Sequence, residues 1–536
     1  MHVSLRSLVA SLPLGISLLR FLGVDNPTSQ LPLQDIAIIE KPQDPHVAGT
    51  RSYVLRFGTG IAAPDGYQRK VITINENYGG PLLFGNKSDR FNIAVGNKLY
   101  DRDVFQSTSV HWHGINQFLT NAEDGVGWVT QCPIVPGLFF EYYFPTNGQT
   151  GTYWWHSHVS TQYCDGLRGP LVIYDPQDPF LGMYNYDNET TIITLEDWHH
   201  TPALASFNGT TLFPNPDSVL INGKGRYAKL NDPNYRKNNK LSVINVQQNS
   251  TYRFRLINMS CLLSYNVTID GHKFYVIESD GTATRPVLVD SLQIYIGQRY
   301  SIVVKADQPV NNYWFRANPS KNITNQNLVD DPGLNNAIFR YQGAPDIEPP
   351  ASKNTSTRPL KESQLVPYNA PGADEIRKKT REWTINNASF TPPPLPVLLQ
   401  ILRGTRNAQD FLPKGVVYTL PMNTAIRVNI PDTNGIFDAH PFHLHGHSFD
   451  LIRPAGEYVE NYSDPPRRDD GPSGVSFCFQ TDNVGPWILH CHIDWHLSQG
   501  LAVVFAEAPY DIGRVRPRPD LEAVCKAFNE SGLPPS

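Results

Sequence analysis

The tripeptide His490-Cys491-His492 constrains this chain more than any other feature, because it makes chemical sense only on an extended strand. Successive side chains of a strand point to opposite faces. The two histidines then share one face and the cysteine takes the other, so one strand meets two different environments. Its neighbourhood recurs. His156-Ser157-His158-Val159, then Gly166-Leu167, then Leu171-Val172-Ile173-Tyr174 parallels His490-Cys491-His492-Ile493, Gly500-Leu501 and Ala502-Val503-Val504-Phe505. Upstream, His111-Trp112-His113-Gly114 parallels His443-Leu444-His445-Gly446. A distant repeat of this kind is one supersecondary unit used twice, and the first and last parts of the chain read as two copies of one sandwich.

Alternation elsewhere supports an all-β chain. Phe91, Ile93 and Val95 alternate with Asn92 and Ala94; Tyr252, Phe254 and Leu256 alternate with Arg253 and Arg255. Ile426, Val428 and Ile430 do the same, as do Phe477 and Phe479. Period two with one apolar face marks strands of a sandwich or barrel. Helical period is short and local, as around Asp374–Arg381. At 536 residues the chain exceeds what one hydrophobic core supports. Asp175-Pro176-Gln177-Asp178-Pro179 and the polar, proline-rich stretch Ala344–Ala373 look like seams. They divide the chain into three domains, 50–176, 177–345 and 346–536.

Residues 1–24 read as a possible secretory signal, with Arg6 before an apolar stretch from Leu8 to Gly23 that Pro13 and Arg20 interrupt. An ordinary N-terminal extension is the alternative. No other run is apolar enough to span a bilayer, so stable membrane insertion is not expected. A net charge of −5 argues against an electrostatic grip on nucleic acid. Asn-x-Ser/Thr sequons recur from Asn86 to Asn529, and six cysteines leave room for two disulfides, which together suit a secreted glycoprotein.

The histidines fall in four clusters: His111/His113, His156/His158, His440/His443/His445 and His490/His492/His496 around Cys491. One His-x-His alone is more often a solvated or satisfied pair. Four together are costly to bury without metal or partners. His440, three residues before His443, can turn to the cysteine's face. Cys491, His440 and His496 then compose a site of two imidazoles and a thiolate, the donor set of a blue-copper electron-transfer centre. The other eight suit a nitrogen-rich metal cluster held between two domains. In the first copy Cys491 is replaced by Ser157, His496 by Gln162 and His440 by Thr108. Only the last domain therefore receives electrons, while both clamp the cluster. Zinc competes for Cys/His sites but has no redox chemistry, which would leave a conduit between two sites without a use.

At these motifs the chain resembles the multicopper oxidases, and most closely the fungal laccases, from about residue 50 to its end. His-Trp-His-Gly at 111, Trp-His-Ser-His at 155, His-Pro-Phe-His-Leu-His-Gly-His at 440 and His-Cys-His-Ile-Asp-Trp-His at 490 carry the resemblance, with Ser160–Pro170 and Leu220–Arg226 between these motifs. The resemblance implies three consecutive cupredoxin-like Greek-key domains and four copper ions, one type 1, one type 2 and two type 3. It implies His440, Cys491 and His496 at type 1, and His111 and His443 at type 2. His113, His156 and His492 would hold one type 3 ion, with His158, His445 and His490 on the other. Asp124 and Asp494 occupy the family's carboxylate positions at the oxygen site, where they relay protons or orient histidines. His447 is not a family ligand and orients its neighbours instead. Implied disulfides are Cys132–Cys525 and Cys164–Cys261, leaving Cys478 as a buried thiol outside them.

Two departures bear on the donor. The axial position after His496 holds Leu501 rather than methionine, which should raise the potential. Leu262 stands where many fungal laccases carry a carboxylate that meets phenols, so a more apolar donor site is expected. The implied partners are small aromatic reductants and dioxygen. The rival readings are a ferroxidase on the same scaffold, which needs carboxylates near His496, and a copper-free cupredoxin binding protein, which would have lost ligands that are all present here. Turnover of ferrous iron against a phenol separates the first pair.

Overall fold

The computed structural model describes residues 49–534 apart from 207–213, 228–238, 321–335, 353–355, 370–380, 384–387, 432–439, 516–517 and 519. The possible leader over 1–24, part of the connector Ala344–Ala373 and the sequons at Asn208, Asn322, Asn354 and Asn387 lie outside the described residues, as does the helical stretch expected around Asp374–Arg381 except Arg381, which begins a strand.

Six sheets form three sandwiches in chain order. Two four-stranded sheets lie between Thr50 and Tyr174. A seven-stranded and a five-stranded sheet follow between Ile192 and Tyr341, and two five-stranded sheets between Arg381 and Glu507. The alternating residues do what their period implies. Phe91, Ile93 and Val95 leave the strand Arg90–Asn97 on its inner side and meet Val110, Trp112, Tyr153 and Trp155 of the facing sheet in one core. Removing one such ring, as in Phe91→Ala, would cost about 3–5 kcal/mol. Ile426, Val428, Phe477 and Leu451 likewise meet Leu444, Leu489, Val503 and Phe505 in the last sandwich.

The middle sandwich departs from simple alternation. Arg253 and Arg255 alternate with apolar residues, yet both are buried. Their face of the sheet is covered by the first sandwich rather than by water. Arg255 bonds both oxygens of Asp187 at 2.8 and 2.7 Å and the Thr152 hydroxyl at 2.9 Å, and Arg253 pairs with Asp178 and Glu278. Buried guanidinium groups are tolerated where carboxylates hold them at both ends. The sequon at Asn258 is also interior, with its amide donating to the carbonyls of Leu263 and Ile294, whereas Asn188, Asn249, Asn461 and Asn529 are exposed.

A helix over Leu521–Ser531, unforeseen in the sequence, ends at Gly532 and buries Leu521, Val524, Cys525 and Phe528 against the first sandwich. Cys525 reaches back to Cys132, and Cys164 joins Cys261 between the first two sandwiches, as the resemblance implied. Cys478 is buried and belongs to neither disulfide. Among the described residues no helix is long and apolar enough to cross a membrane.

Candidate metal centre

One antiparallel strand pair positions the histidines in each of the outer sandwiches. In the first, Val110–His113 runs antiparallel to Gly151–Ser157, with His111 opposite His156. In the last, Phe442–Leu444 runs antiparallel to Gly485–Cys491, with His443 opposite His490 and Phe442 opposite Cys491. After each His-x-His the chain must turn sharply. Gly114 and Gly446 do so at φ of +90° and +74°, a region that side chains rarely adopt. The two strand pairs face one another, and their histidines meet between the domains.

On the cysteine's side of the strand, His440 and His496 each bring Nδ1 to 3.5 Å from the Cys491 sulfur and to 3.0 Å from each other. A point equidistant from the three atoms lies roughly 2 Å from each, the length of a metal–imidazole bond. His496 is carried by the short helix Asp494–Ser498, and half-buried His440 sits at the chain's approach to Pro441. Burial pushes the Cys491 thiol up and holds His496 down at about 3. Leu501 packs, partly buried, against the core cluster that contains Cys491.

On the other side, eight imidazoles crowd together. His158 and His445 bring Nε2 to 3.4 and 3.1 Å from Nε2 of His490. His443 Nε2 stands 3.4 Å from His111 Nε2, and His492 Nε2 stands 3.1 Å from His113 Nδ1. His113, His156 and His492 gather within one ion's reach, as do His158, His445 and His490, and His111, His113 and His443. The outward nitrogens are spoken for. His111, His156, His443 and His490 donate Nδ1–H to the carbonyls of Asp124, Ser157, Asp469 and Cys491, which leaves Nε2 as a lone pair. Burial first, and neighbouring imidazoles second, hold His113, His156, His158, His443, His445 and His492 well below the ordinary histidine range, and burial holds His490 at about 3. Neutral lone pairs pressed together, with His156 Nε2 lacking any hydrogen-bond partner among the described residues, fit a cluster of cations.

The two expected carboxylates stand differently. Asp124 accepts Nδ1–H of His445 at 2.9 Å while its carbonyl accepts that of His111. Asp494 is buried beside Cys164 and makes no hydrogen bond to a cluster imidazole among the described residues; burial holds its carboxyl well above the usual range. His447 lies 3.2 Å from the His445 carbonyl and 3.0 Å from Glu507. Burial alone would lower it, but that carboxylate outweighs burial and holds it above its ordinary value. Leu262 has no exposed surface. Asp197 gathers the backbone N–H groups of Cys261, Leu262 and Leu263 at 2.8, 2.6 and 3.0 Å. That turn sends the Leu262 side chain into the core with Ile493 and Trp495. Two acids were not anticipated from the sequence. Asp469 holds His443, and Asp470, paired across the sheet with His443, is a buried carboxyl with neither oxygen hydrogen-bonded among the described residues. Nothing in a lone Arg-Asp-Asp run marks either one.

Sequence models of the multicopper oxidase family match residues 57–178, 189–344 and 390–511. The chain belongs to the multicopper oxidases. Laccase-2 of Trametes versicolor is 47% identical over 480 residues, covering 85% of this chain and 90% of that protein. The laccase of Phlebia radiata is 45% identical over 489 residues, covering 87% and 92%. Among solved structures, the laccase from Botrytis aclada superposes with a TM-score of 0.78 at 30% identity, covering 91% of this chain and 93% of that one. Fet3p, a multicopper oxidase that functions in iron import, gives 0.77 at 26% identity, covering 90% and 95%. This multicopper oxidase is a copper-dependent oxidoreductase of laccase type, with three cupredoxin-like domains and four ions of the family's type 1, type 2 and type 3 kinds.

Proposed function

We propose that this oxidase takes single electrons from small aromatic donors at His496 and passes them along one strand to the histidine cluster, where dioxygen becomes water. The reading rests on one observation: the Cys491–His440–His496 triangle and the eight-histidine group share the strand that ends at Cys491. Bound copper supplies the one-electron acceptor beside Cys491 and the four-electron reduction of dioxygen between the histidines.

The protein's own contribution is placement. His440, Cys491 and His496 hold the type 1 ion, and His440, half-buried, lies nearest the surface of the ligand set. His111 and His443 hold the type 2 ion. His113, His156 and His492 hold one type 3 ion and His158, His445 and His490 the other. His490 and His492 flank Cys491 directly, so a few covalent bonds separate the two sets of donor atoms. Leu501 supplies no thioether, which raises the potential of the type 1 site. Asp124 fixes the tautomers of His111 and His445 and stands ready to pass protons beside them. Asp494, buried at the start of the short helix that carries His496, is the second carboxylate placed to relay protons or orient histidines.

We also propose domain boundaries of 50–176, 177–345 and 346–536, and secretion, which two disulfides and exposed sequons support. Purified enzyme should consume one dioxygen per four electrons taken from a phenol and should turn over ferrous iron more slowly than that phenol. Faster iron turnover would move the assignment to a ferroxidase.

A further inference from the structure

The middle sandwich supplies none of these histidines, yet one of its arginines reaches the cluster. Arg299 opens the strand Arg299–Lys305 and has no exposed surface. Its Nη1 and Nη2 donate to the two oxygens of Asp469, both at 2.8 Å, the two-point geometry in which guanidinium and carboxylate fix one another. Its Nε donates to the Thr152 carbonyl of the first sandwich at 3.0 Å, and Nη1 also donates to the Gly297 carbonyl at 3.0 Å. One side chain thus ties all three domains together.

Asp469 serves the cluster twice. Its carbonyl accepts Nδ1–H of His443 at 2.8 Å, and its Oδ1 faces His113 Nε2 at 3.6 Å. Asp124 has the mirror-image pair of tasks, with its carbonyl on His111 and its carboxylate on His445. The two aspartates differ in one respect. The Asp124 carboxylate bonds its histidine at 2.9 Å, whereas Arg299 claims both oxygens of Asp469 and 3.6 Å to His113 is too long for a hydrogen bond. In each case the ring nitrogen away from the carboxylate faces the cluster: His445 turns Nε2 toward His490, while His113 turns Nδ1 toward His492. The clamp has no slack. A Cβ at Gly114, next to His113, would stand 2.5 Å from Arg299 Nη2 and 2.8 Å from Asp469 Oδ2.

We propose that Arg299 is a positioning residue for the cluster: by holding Asp469 at both oxygens it sets the carbonyl that orients His443 and the carboxylate that faces His113 Nε2, the nitrogen opposite the one His113 turns to the cluster. The inference rests on the copper reading of the histidine group. Arg299→Lys keeps the charge and gives up the fork. Arg316→Lys is the control, since Arg316 makes the same two-point bond to Asp270 in the same sandwich, at 2.7 and 2.8 Å, without touching a histidine holder. Each holoenzyme would be dialysed against a graded chelator while the type 2 electron paramagnetic resonance signal, the blue absorbance and the Tm are followed. Arg299→Lys should lose the type 2 signal at a chelator concentration roughly 10–100-fold lower than wild type, with the blue band intact. Arg316→Lys should follow wild type in both signals, whatever its Tm. If Arg299→Lys does not accumulate, Asp469→Asn breaks the same fork from the other side and gives the same reading. The proposal fails if type 2 retention is unchanged, if both signals fall together, or if Arg316→Lys loses type 2 equally. A wild-type enzyme with a blue band and no type 2 signal would instead sink the copper reading beneath it.

Discussion

The first and last sandwiches carry the same antiparallel strand pair with different side chains on it. In the last, Cys491 faces His496 at 3.5 Å; in the first, Ser157 donates to the Gln162 side chain at 2.5 Å. The backbone beneath is the same, since Ser157 N–H meets the Leu167 carbonyl at 3.0 Å and Cys491 N–H meets that of Leu501 at 3.1 Å. Gln162 also donates to the carbonyls of Phe105 and Ser107, filling with hydrogen bonds the place proposed for a metal in the other copy. Side chains alone therefore separate the proposed electron-accepting site from a structural one, while both strand pairs keep the histidines that face each other across the domain boundary.

The largest effect should come from making the last copy resemble the first. Cys491→Ser should abolish the blue absorbance and lower turnover more than about 1,000-fold, over 4 kcal/mol in barrier, while the copper of the histidine cluster stays bound. Retained turnover with an electron donor would break the distinction between the copies.

A smaller effect concerns how the two cluster aspartates are braced. Asp469 is held from the middle domain, whereas Glu123, beside Asp124, is bound by Arg518 of the C-terminal arm at 3.0 Å and by the Tyr143 N–H. Burial outweighs both and lifts the Glu123 carboxyl from 4.5 to about 7. A carboxyl raised on folding binds more protons in the folded state. Its contribution is complete below the unfolded value and lost as pH climbs from about 4.5 to about 7, on the order of 3 kcal/mol. Unfolding midpoints across that window should therefore fall more steeply in wild type than in Glu123→Gln; parallel curves would rule this brace out as a titrating one.

The smallest effect belongs to the degenerate copy. Ser157→Ala leaves the Gln162 carbonyl without its donor, which should cost about 1 kcal/mol of stability. Spectra and donor kinetics should match wild type, and a bleached blue band would mean that the first copy matters for electron intake after all.

What could be read from the sequence follows from local chemistry. His-x-His and His-Cys-His declare their faces because strand alternation is obligatory, and the substitutions Ser157, Gln162 and Thr108 declare which copy is silent. The groups that brace those histidines do not announce themselves. Arg299 and Asp469 lie far apart in sequence and belong to no motif, and their partnership depends on three domains packing at one seam. Arg253 and Arg255 look like a solvated face until the first sandwich covers them. Leu262 could be placed by position but not by direction, because Asp197, distant in sequence, turns its backbone inward.

The central claim is that both outer domains clamp one shared cluster while only the last accepts electrons. His111→Ala and His443→Ala test it together, one from each copy. Each variant alone should lose the same type 2 signal and keep the blue absorbance undiminished. Loss of that signal in only one of them, or a bleached blue band in His111→Ala, would contradict the account.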